Sequence, residues 1–206
     1  LIICGSGRRN GNSEKLADAF ISGAMLNNEI TKITLADKKI APCRHCDYCQ
    51  AHYGKCAIQD DMQTILPALQ NNDILVLCSP VYYLGFSAQL KTVIDRTYAE
   101  SAVGRKIRQS ILLSVAGKKD AFVSDCMINS YQQLSDYLGF QNIGIIHILS
   151  ISGMHVSFYI YLIRTLFLRL GITRERIPLF MIGILTFYGF LAGWGTSVFR
   201  AIFQSH

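Results

Sequence analysis

Hydrophobic positions along this chain follow two periods that alternate. Short apolar runs occur at residues 1–4, 30–35, 74–78, 111–115 and 143–148. Several are continuous rather than interrupted by polar residues, the pattern of strands buried on both faces. Between them lie longer stretches with helical spacing, at 13–26, 61–70, 87–98 and 121–138. In the first of these, Leu16, Ala17, Phe20, Ile21 and Ala24 share one apolar face. Strands alternating with helices close through right-handed crossovers, so the pattern predicts an α/β fold with a doubly wound parallel sheet of five strands.

Five strands of this kind match the flavodoxin-like order 2-1-3-4-5. Ligands of such sheets bind outside the carboxyl ends of the strands where the winding reverses, so the loops after the first, third and fourth strands are expected to line a site. A final helix is expected after the fifth strand. The sequence instead becomes Ile148-Leu-Ser-Ile-Ser-Gly-Met-His-Val156 and stays apolar. This predicts two parts, 1–146 and a hydrophobic helical segment 147–206.

Composition sharpens that division. Half of the residues are apolar and the net charge is +6. Residues 1–146 carry 15 Lys+Arg against 13 Asp+Glu, while 147–206 carry five Arg against the single acid Glu175. The cations of the first part form no stripe, which argues against a nucleic-acid surface there. Seven cysteines behind a buried-type opening strand, with no basic leader, read as thiols in a reducing cytoplasm rather than a secreted disulfide scaffold. The absent initiator methionine leads us to expect that a few residues precede Leu1.

Two loops and one insertion carry candidate chemistry. Gly5-Ser-Gly-Arg-Arg-Asn-Gly-Asn-Ser13 joins a strand to a helix, where free N–H groups and the helix dipole attract an anion. Ser6, Asn12 and Ser13 would add donors and Arg8 a charged fork; the alternative is an ordinary turn with Asn12 or Ser13 as N-cap. Ser79-Pro-Val-Tyr-Tyr-Leu-Gly85 follows the third strand. There Tyr82 and Tyr83 either face a planar ligand or pack under the turn, and Gly85 would let backbone approach a ring. Cys43, Cys46 and Cys49 recur every third residue and Cys56 follows closely. Four thiolates at this spacing suit a 4Fe-4S cluster; a zinc, held by the cysteines or with His45 or His52, and a metal-free loop are the alternatives. Exposed loop positions are the expectation for His45 and His52, and small core positions for Cys4, Cys78 and Cys126.

The first loop resembles the GSxRxxxNS phosphate loop of the NADPH-dependent FMN reductase and flavodoxin-like oxidoreductase family. Ile40-Ala-Pro-Cys43, Gly54-Lys-Cys56-Ala-Ile-Gln-Asp-Asp-Met62, Ser79-Pro-Val-Tyr-Tyr83 and Ser87-Ala-Gln-Leu-Lys-Thr-Val-Ile-Asp-Arg96 are similar to its cysteine-bearing branch, the iron-sulfur flavoproteins. The resemblance covers about residues 1–146. It implies FMN with its phosphate on Ser6, Arg8, Asn12 and Ser13 and its ring against Pro80, Val81, Tyr82, Tyr83 and Gly85, with Ala116 and Gly117 as a third wall. NAD(P)H as electron donor, an electron acceptor and pairing of subunits are implied with it. An electron carrier that binds flavin without a substrate reaction of its own is the alternative. No general acid or base is expected, since solvent can exchange protons with the flavin.

His147-Ile-Leu-Ser-Ile-Ser-Gly-Met-His-Val156 and Gly189-Phe-Leu-Ala-Gly-Trp-Gly-Thr-Ser-Val-Phe-Arg-Ala201 resemble the competence domain of ComEC-type DNA-uptake membrane proteins. Residues 177–199 hold 23 residues without a formal charge, enough to cross a bilayer. Membrane association through this tail is therefore expected, with DNA as partner only if the segment serves an intact competence protein. A chain that is a fragment of such a protein is the rival to the oxidoreductase. An accidental join of two coding sequences near residue 147 is the expected origin of the junction, with Ser152, His155 and Arg200 left as polar residues of an incomplete bundle.

Overall fold

Five parallel strands lie in the order β2-β1-β3-β4-β5 in the computed structural model, which describes residues 1–117 and 121–149. The elements run β1 (Ile2–Cys4), α1 (Asn12–Ala24), β2 (Lys32–Thr34), α2 (Tyr48–Ala51), α3 (Met62–Gln70), β3 (Ile74–Pro80), α4 (Ala88–Arg96), β4 (Gln109–Ala116), α5 (Ala121–Leu138) and β5 (Gln141–Leu149). The expected doubly wound, flavodoxin-like sheet is what forms.

Strand ends differ from the apolar runs for identifiable reasons. At the sheet edge, β2 is only as long as its neighbour: Lys32, Ile33 and Thr34 pair with Ile2, Ile3 and Cys4, and a 3-10 turn, Leu35–Asp37, follows. By contrast β4 starts earlier than its apolar run, because Gln109 and Ser110 already pair with Ile74 and Leu75. The buried Ser110 hydroxyl is shared with Tyr131 Oη at 2.9 Å and Ser135 Oγ at 3.0 Å on α5. A polar residue in a strand is tolerated once its hydrogen bonds are met.

The core has two layers. On one face Ile3, Leu77 and Leu112 pack with Met62, Ile65 and Leu69 of α3, Leu90 and Val93 of α4, and Met127 and Tyr131 of α5. On the other, Ile2, Cys4, Val76, Cys78 and Leu113 meet α1 through Leu16, Ala17, Phe20 and Ile21, the stripe read from its spacing. Cys4 and Cys78 are register partners buried in this layer, and Cys126 is half-buried on α5.

The chain divides into Leu1–Ser150 and Ile151–His206. β5 runs through His147 to Leu149, so it crosses the point where the composition changes. Among the described residues no helix is long and apolar enough to cross a membrane. The expected span 177–199, and with it Ser152, His155 and Arg200, lies outside the described residues.

His147 is held on β5 by two serines: Nδ1 meets Ser114 Oγ and Nε2 meets Ser124 Oγ, each at 2.6 Å. A neutral ring satisfies both hydroxyls, one as donor and one as acceptor. Burial lowers its pKa, opposed by Asp125. The folded chain thus binds this proton less readily than the unfolded one. Stability is full above about pH 6.5 and falls as the pH drops below it. H147A is expected to cost about 1–3 kcal/mol at pH 7.5, because the buried Ser114 hydroxyl loses its partner, and to weaken the acid-side decline in thermal melts. A decline of unchanged slope would assign it to other groups.

Candidate functional site at the carboxyl ends of the strands

The loop from β1 to α1 is pinned from below. Gly5 N–H donates to the Cys78 carbonyl at 2.7 Å, and the Gly5 carbonyl accepts the Ser87 hydroxyl at 2.6 Å. Ser87 is the fully buried N-cap of α4, and its own N–H donates to Ser79 Oγ at 3.1 Å. One serine therefore ties the loop after β1, the end of β3 and the start of α4 together. A Cβ on Gly5 would lie 2.6 Å from Leu90 Cβ, so only glycine admits this approach.

Glu14 holds the loop from the side. It is buried in the first turn of α1, accepts the Asn10 N–H at 2.6 Å, and meets Lys32 Nζ at 3.3 Å and Thr34 Oγ1 at 3.4 Å. Asn10 adopts a left-handed conformation there, with φ 56°. Arg9 is drawn away from the loop mouth by Asp37. Arg8 stays exposed, its Nε within 3.3 Å of where a Gly11 Cβ would lie.

The N-cap of α1 is Gly11, which has no side chain to cap the helix, and not the Asn12 or Ser13 of the ordinary-turn reading. Glycine reaches the extended cap conformation as readily as those residues do, and Asn12 and Ser13 then fall in the first turn. The first turn of a helix presents N–H groups to an anion. Ser13 is buried there and Asn12 exposed. The buried Ser6 hydroxyl donates to the Arg8 carbonyl at 2.9 Å and so shapes the turn, a task that sequence reasoning did not assign to it.

Opposite this loop, Tyr82 and Gly85 exchange backbone hydrogen bonds of 3.0 Å across a tight turn. Its two central residues are Tyr83 and Leu84, at φ 45° and 67°. Such turns normally use Asn-Gly; side chains here cost about 1 kcal/mol or more each. The left-handed positions of the turn precede Gly85. Tyr82 is half-exposed and Tyr83 fully exposed, so neither packs under the turn. Val81 N–H donates to the Val115 carbonyl at 2.8 Å, which sets this turn beside Ala116 and Gly117 at the end of β4. Among the described residues a Cβ on Gly117 would meet nothing within 4 Å, and one on Gly85 only the Tyr82 carbonyl at 4.0 Å. Among the described residues, open space beside two glycines, a glycine-capped helix and a strained exposed turn fit a planar ligand with an anionic tail.

The cysteine loop, after β2, docks on the 3-10 turn Thr97–Ala102. Gln50 Nε2 donates to the Tyr98 carbonyl at 3.2 Å and to Ser101 Oγ at 2.8 Å. Tyr98 Oη donates to Asp47 at 3.3 Å. Cys43, Cys46, Cys49 and Cys56 line one cavity of about 20 Å³. Cys49 is buried, which raises its thiol pKa, and the Cys43 sulfur accepts the His45 N–H at 3.4 Å. His45, Asp47 and Tyr53 all have φ near 50°, a cluster of left-handed non-glycine residues in one loop. Turns of this kind aim N–H groups inward and recur around phosphates and iron–sulfur clusters. His45 and His52 are exposed and stack on Tyr98 and Tyr48, with centroids 6.1 and 3.7 Å apart. Among the described residues no group of three or more His, Cys, Asp or Glu is close enough to hold a single metal ion.

Comparison with known proteins gives two matches along the chain. Residues 1–150 match the sequence model of NADPH-dependent FMN reductase, and residues 131–205 that of competence protein. An iron-sulfur flavoprotein of Archaeoglobus fulgidus is 40% identical over 95 residues, covering 46% of this chain and 43% of that protein. ComE operon protein 3 of Bacillus subtilis is 34% identical over 84 residues, 41% of this chain but 10% of that protein. The NAD(P)H:quinone oxidoreductase of Methanothermobacter marburgensis has the same fold, with a TM-score of 0.55 at 16% identity over 72% of this chain and 80% of that one. The chain spans about half the length of the iron-sulfur flavoproteins it matches. With the match extending over the whole sheet and the turns after β1 and β3, the chain belongs to the NADPH-dependent FMN reductase family.

Proposed function

We propose that this chain is an FMN-dependent oxidoreductase fed by NAD(P)H, and that Cys43, Cys46, Cys49 and Cys56 hold a 4Fe-4S cluster that relays electrons to an acceptor. The observation that carries the reading is the glycine-capped start of α1, behind a loop pinned at Gly5, at the same end of the sheet as the strained Tyr82–Gly85 turn. When bound, FMN supplies exchange between two-electron and one-electron transfer, and the cluster a one-electron store.

The chain's own residues bind and orient. Asn12, Ser13 and the N–H groups of α1 would hold the phosphate, Arg8 would offset its charge, and Ser6 would keep the loop in shape. Pro80, Val81, Tyr82, Tyr83 and Gly85 would flank one side of the ring, and Ala116 and Gly117 the other. We read the cysteine loop as a cluster site rather than a zinc site, because four cysteines, three of them at two-residue intervals, suit the thiolate set of a 4Fe-4S core. The exposed rings of Tyr53 and Tyr83 support a further contact surface, which we assign to pairing of subunits.

The competence-protein match favours a second origin for the tail. We read residues 147–206 as a piece of a membrane domain, crossing the inner membrane at 177–199 and leaving the flavin domain in the cytoplasm. DNA would be a partner only of an intact competence protein.

Anaerobic reconstitution with iron and sulfide tests the cluster. The chain is expected to take up about four iron atoms, and C49S to lose most of them while keeping its FMN. Uptake of one zinc in place of iron, or equal iron in C49S, would refute this ligand set.

A further inference from the structure

Arg96 ends α4 and lies beneath the cysteine loop, its side chain 1% exposed. Its Nη1 donates to the Ala41 carbonyl at 2.7 Å and to Asp60 Oδ2 at 2.9 Å, and Nη2 donates to Asp60 Oδ1 at 3.1 Å. Asp60 also accepts the Ala41 N–H at 2.9 Å and the Met62 N–H at 3.0 Å. Ala41 and Asp60 flank all four cysteines in sequence. A bidentate, charge-assisted pair therefore closes the neck of the loop that carries them.

One donor of this guanidinium is left over. Arg96 Nε is buried and has no hydrogen-bond partner among the described residues. An unmet buried N–H costs about 1–3 kcal/mol, so its persistence calls for a reason. Arg96 lines the same cavity as the four cysteines. Cys56, which lies four residues before Asp60, borders this cavity together with Arg96. Thiolate sulfurs bound to iron accept N–H donors, and such bonds favour the reduced, more negative cluster.

We infer that Arg96 is the positioning residue of the cysteine loop: its pair with Asp60 closes the neck, and its unpaired Nε–H is the donor that the Cys56 sulfur would take up when a cluster is bound, raising the reduction potential of that cluster. The second half rests on the reading of Cys43, Cys46, Cys49 and Cys56 as cluster ligands. Ala41, Asp60 and Arg96 bind no iron themselves, so the clamp can be tested with or without it.

R96K keeps the charge but removes both Nε–H and the planar fork. In the reconstituted 206-residue chain, a redox titration followed by paramagnetic resonance is expected to show a cluster about tenfold harder to reduce, a fall of about 59 mV, at wild-type iron content. Hydrogen exchange of residues 41–60 is expected to quicken about tenfold, while β3 and β4 keep their protection. An unchanged potential overturns the bond to Cys56, and unchanged exchange overturns the clamp. A wild-type chain that binds no iron sinks the cluster reading and the bond to Cys56 with it, whereas exchange on that iron-free chain still decides the clamp. If R96K does not fold, R96M/D60N removes both buried charges together and is read by the same two measurements.

Discussion

Replacing Gly5 with valine is expected to weaken FMN binding at least 100-fold, while the sheet still forms. A Cβ at this position would lie 2.6 Å from Leu90 Cβ and 2.9 Å from Ser87 Oγ, and both belong to the first turn of α4. Neither neighbour is the loose end of a long side chain. The helix must therefore lift from the sheet or the loop must move, and overpacking of this kind costs about 1–3 kcal/mol. Moving the loop breaks the Ser87–Gly5 bond and displaces the start of α1. Losing two charge-assisted hydrogen bonds to a phosphate costs about 3–6 kcal/mol, and each 1.4 kcal/mol is about tenfold in affinity. The control is G23A, on α1, where an added methyl meets nothing within 4 Å among the described residues. It should gain about 0.5–1 kcal/mol of helix stability and leave the affinity unchanged. Equal FMN affinity in G5V and wild type, measured by fluorescence titration, would detach the loop from the flavin.

E100Q is expected to stabilise the protein by about 3 kcal/mol at pH 8 and by almost nothing at pH 4. Glu100 sits 3% exposed in the turn after α4, where it accepts a hydrogen bond from Gln70 Nε2 at 3.1 Å. Burial pushes its pKa up to about 7, although Arg105 and Gln70 pull the other way. The folded chain therefore holds this proton more tightly than the unfolded one. Below about pH 4.5 both states are protonated and nothing is lost; stability falls as the pH rises towards 7 and then levels. A difference of about 2.5 pKa units at 1.36 kcal/mol each sets the size of the loss. Glutamine keeps the acceptor for Gln70 without the charge. Chemical denaturation at the two pH values decides, and parallel pH profiles for E100Q and wild type would mean that Glu100 is charged at little cost.

Much of this fold can be read from the apolar pattern, because buried parallel strands write themselves as continuous runs and amphipathic helices as stripes. The limits of α5 agree with its spacing to the residue. What escapes that reading is polar and conformational. Four buried or half-buried polar residues, Glu14, Asp60, Ser87 and Arg96, fix the two loops, yet each looks in sequence like an ordinary helix-end residue. Glu14 in a first turn reads as a favourable charge for the helix dipole, and nothing nearby predicts that Asn10 bends back to meet it. The same holds for the turn at Tyr83 and Leu84, whose left-handed backbone contradicts the preference of both residues. The short α2 has no period long enough to detect. The cysteine spacing was legible at once; its clamp was not, since Arg96 lies 40 residues beyond Cys56.

Flavin binding by the purified chain tests the central claim most directly. Titrated with FMN under anaerobic conditions, the 206-residue chain should retain one FMN per chain through gel filtration, and NADPH should then bleach the flavin absorbance. A chain that elutes without flavin, although its β-sheet is intact by circular dichroism, would contradict the account.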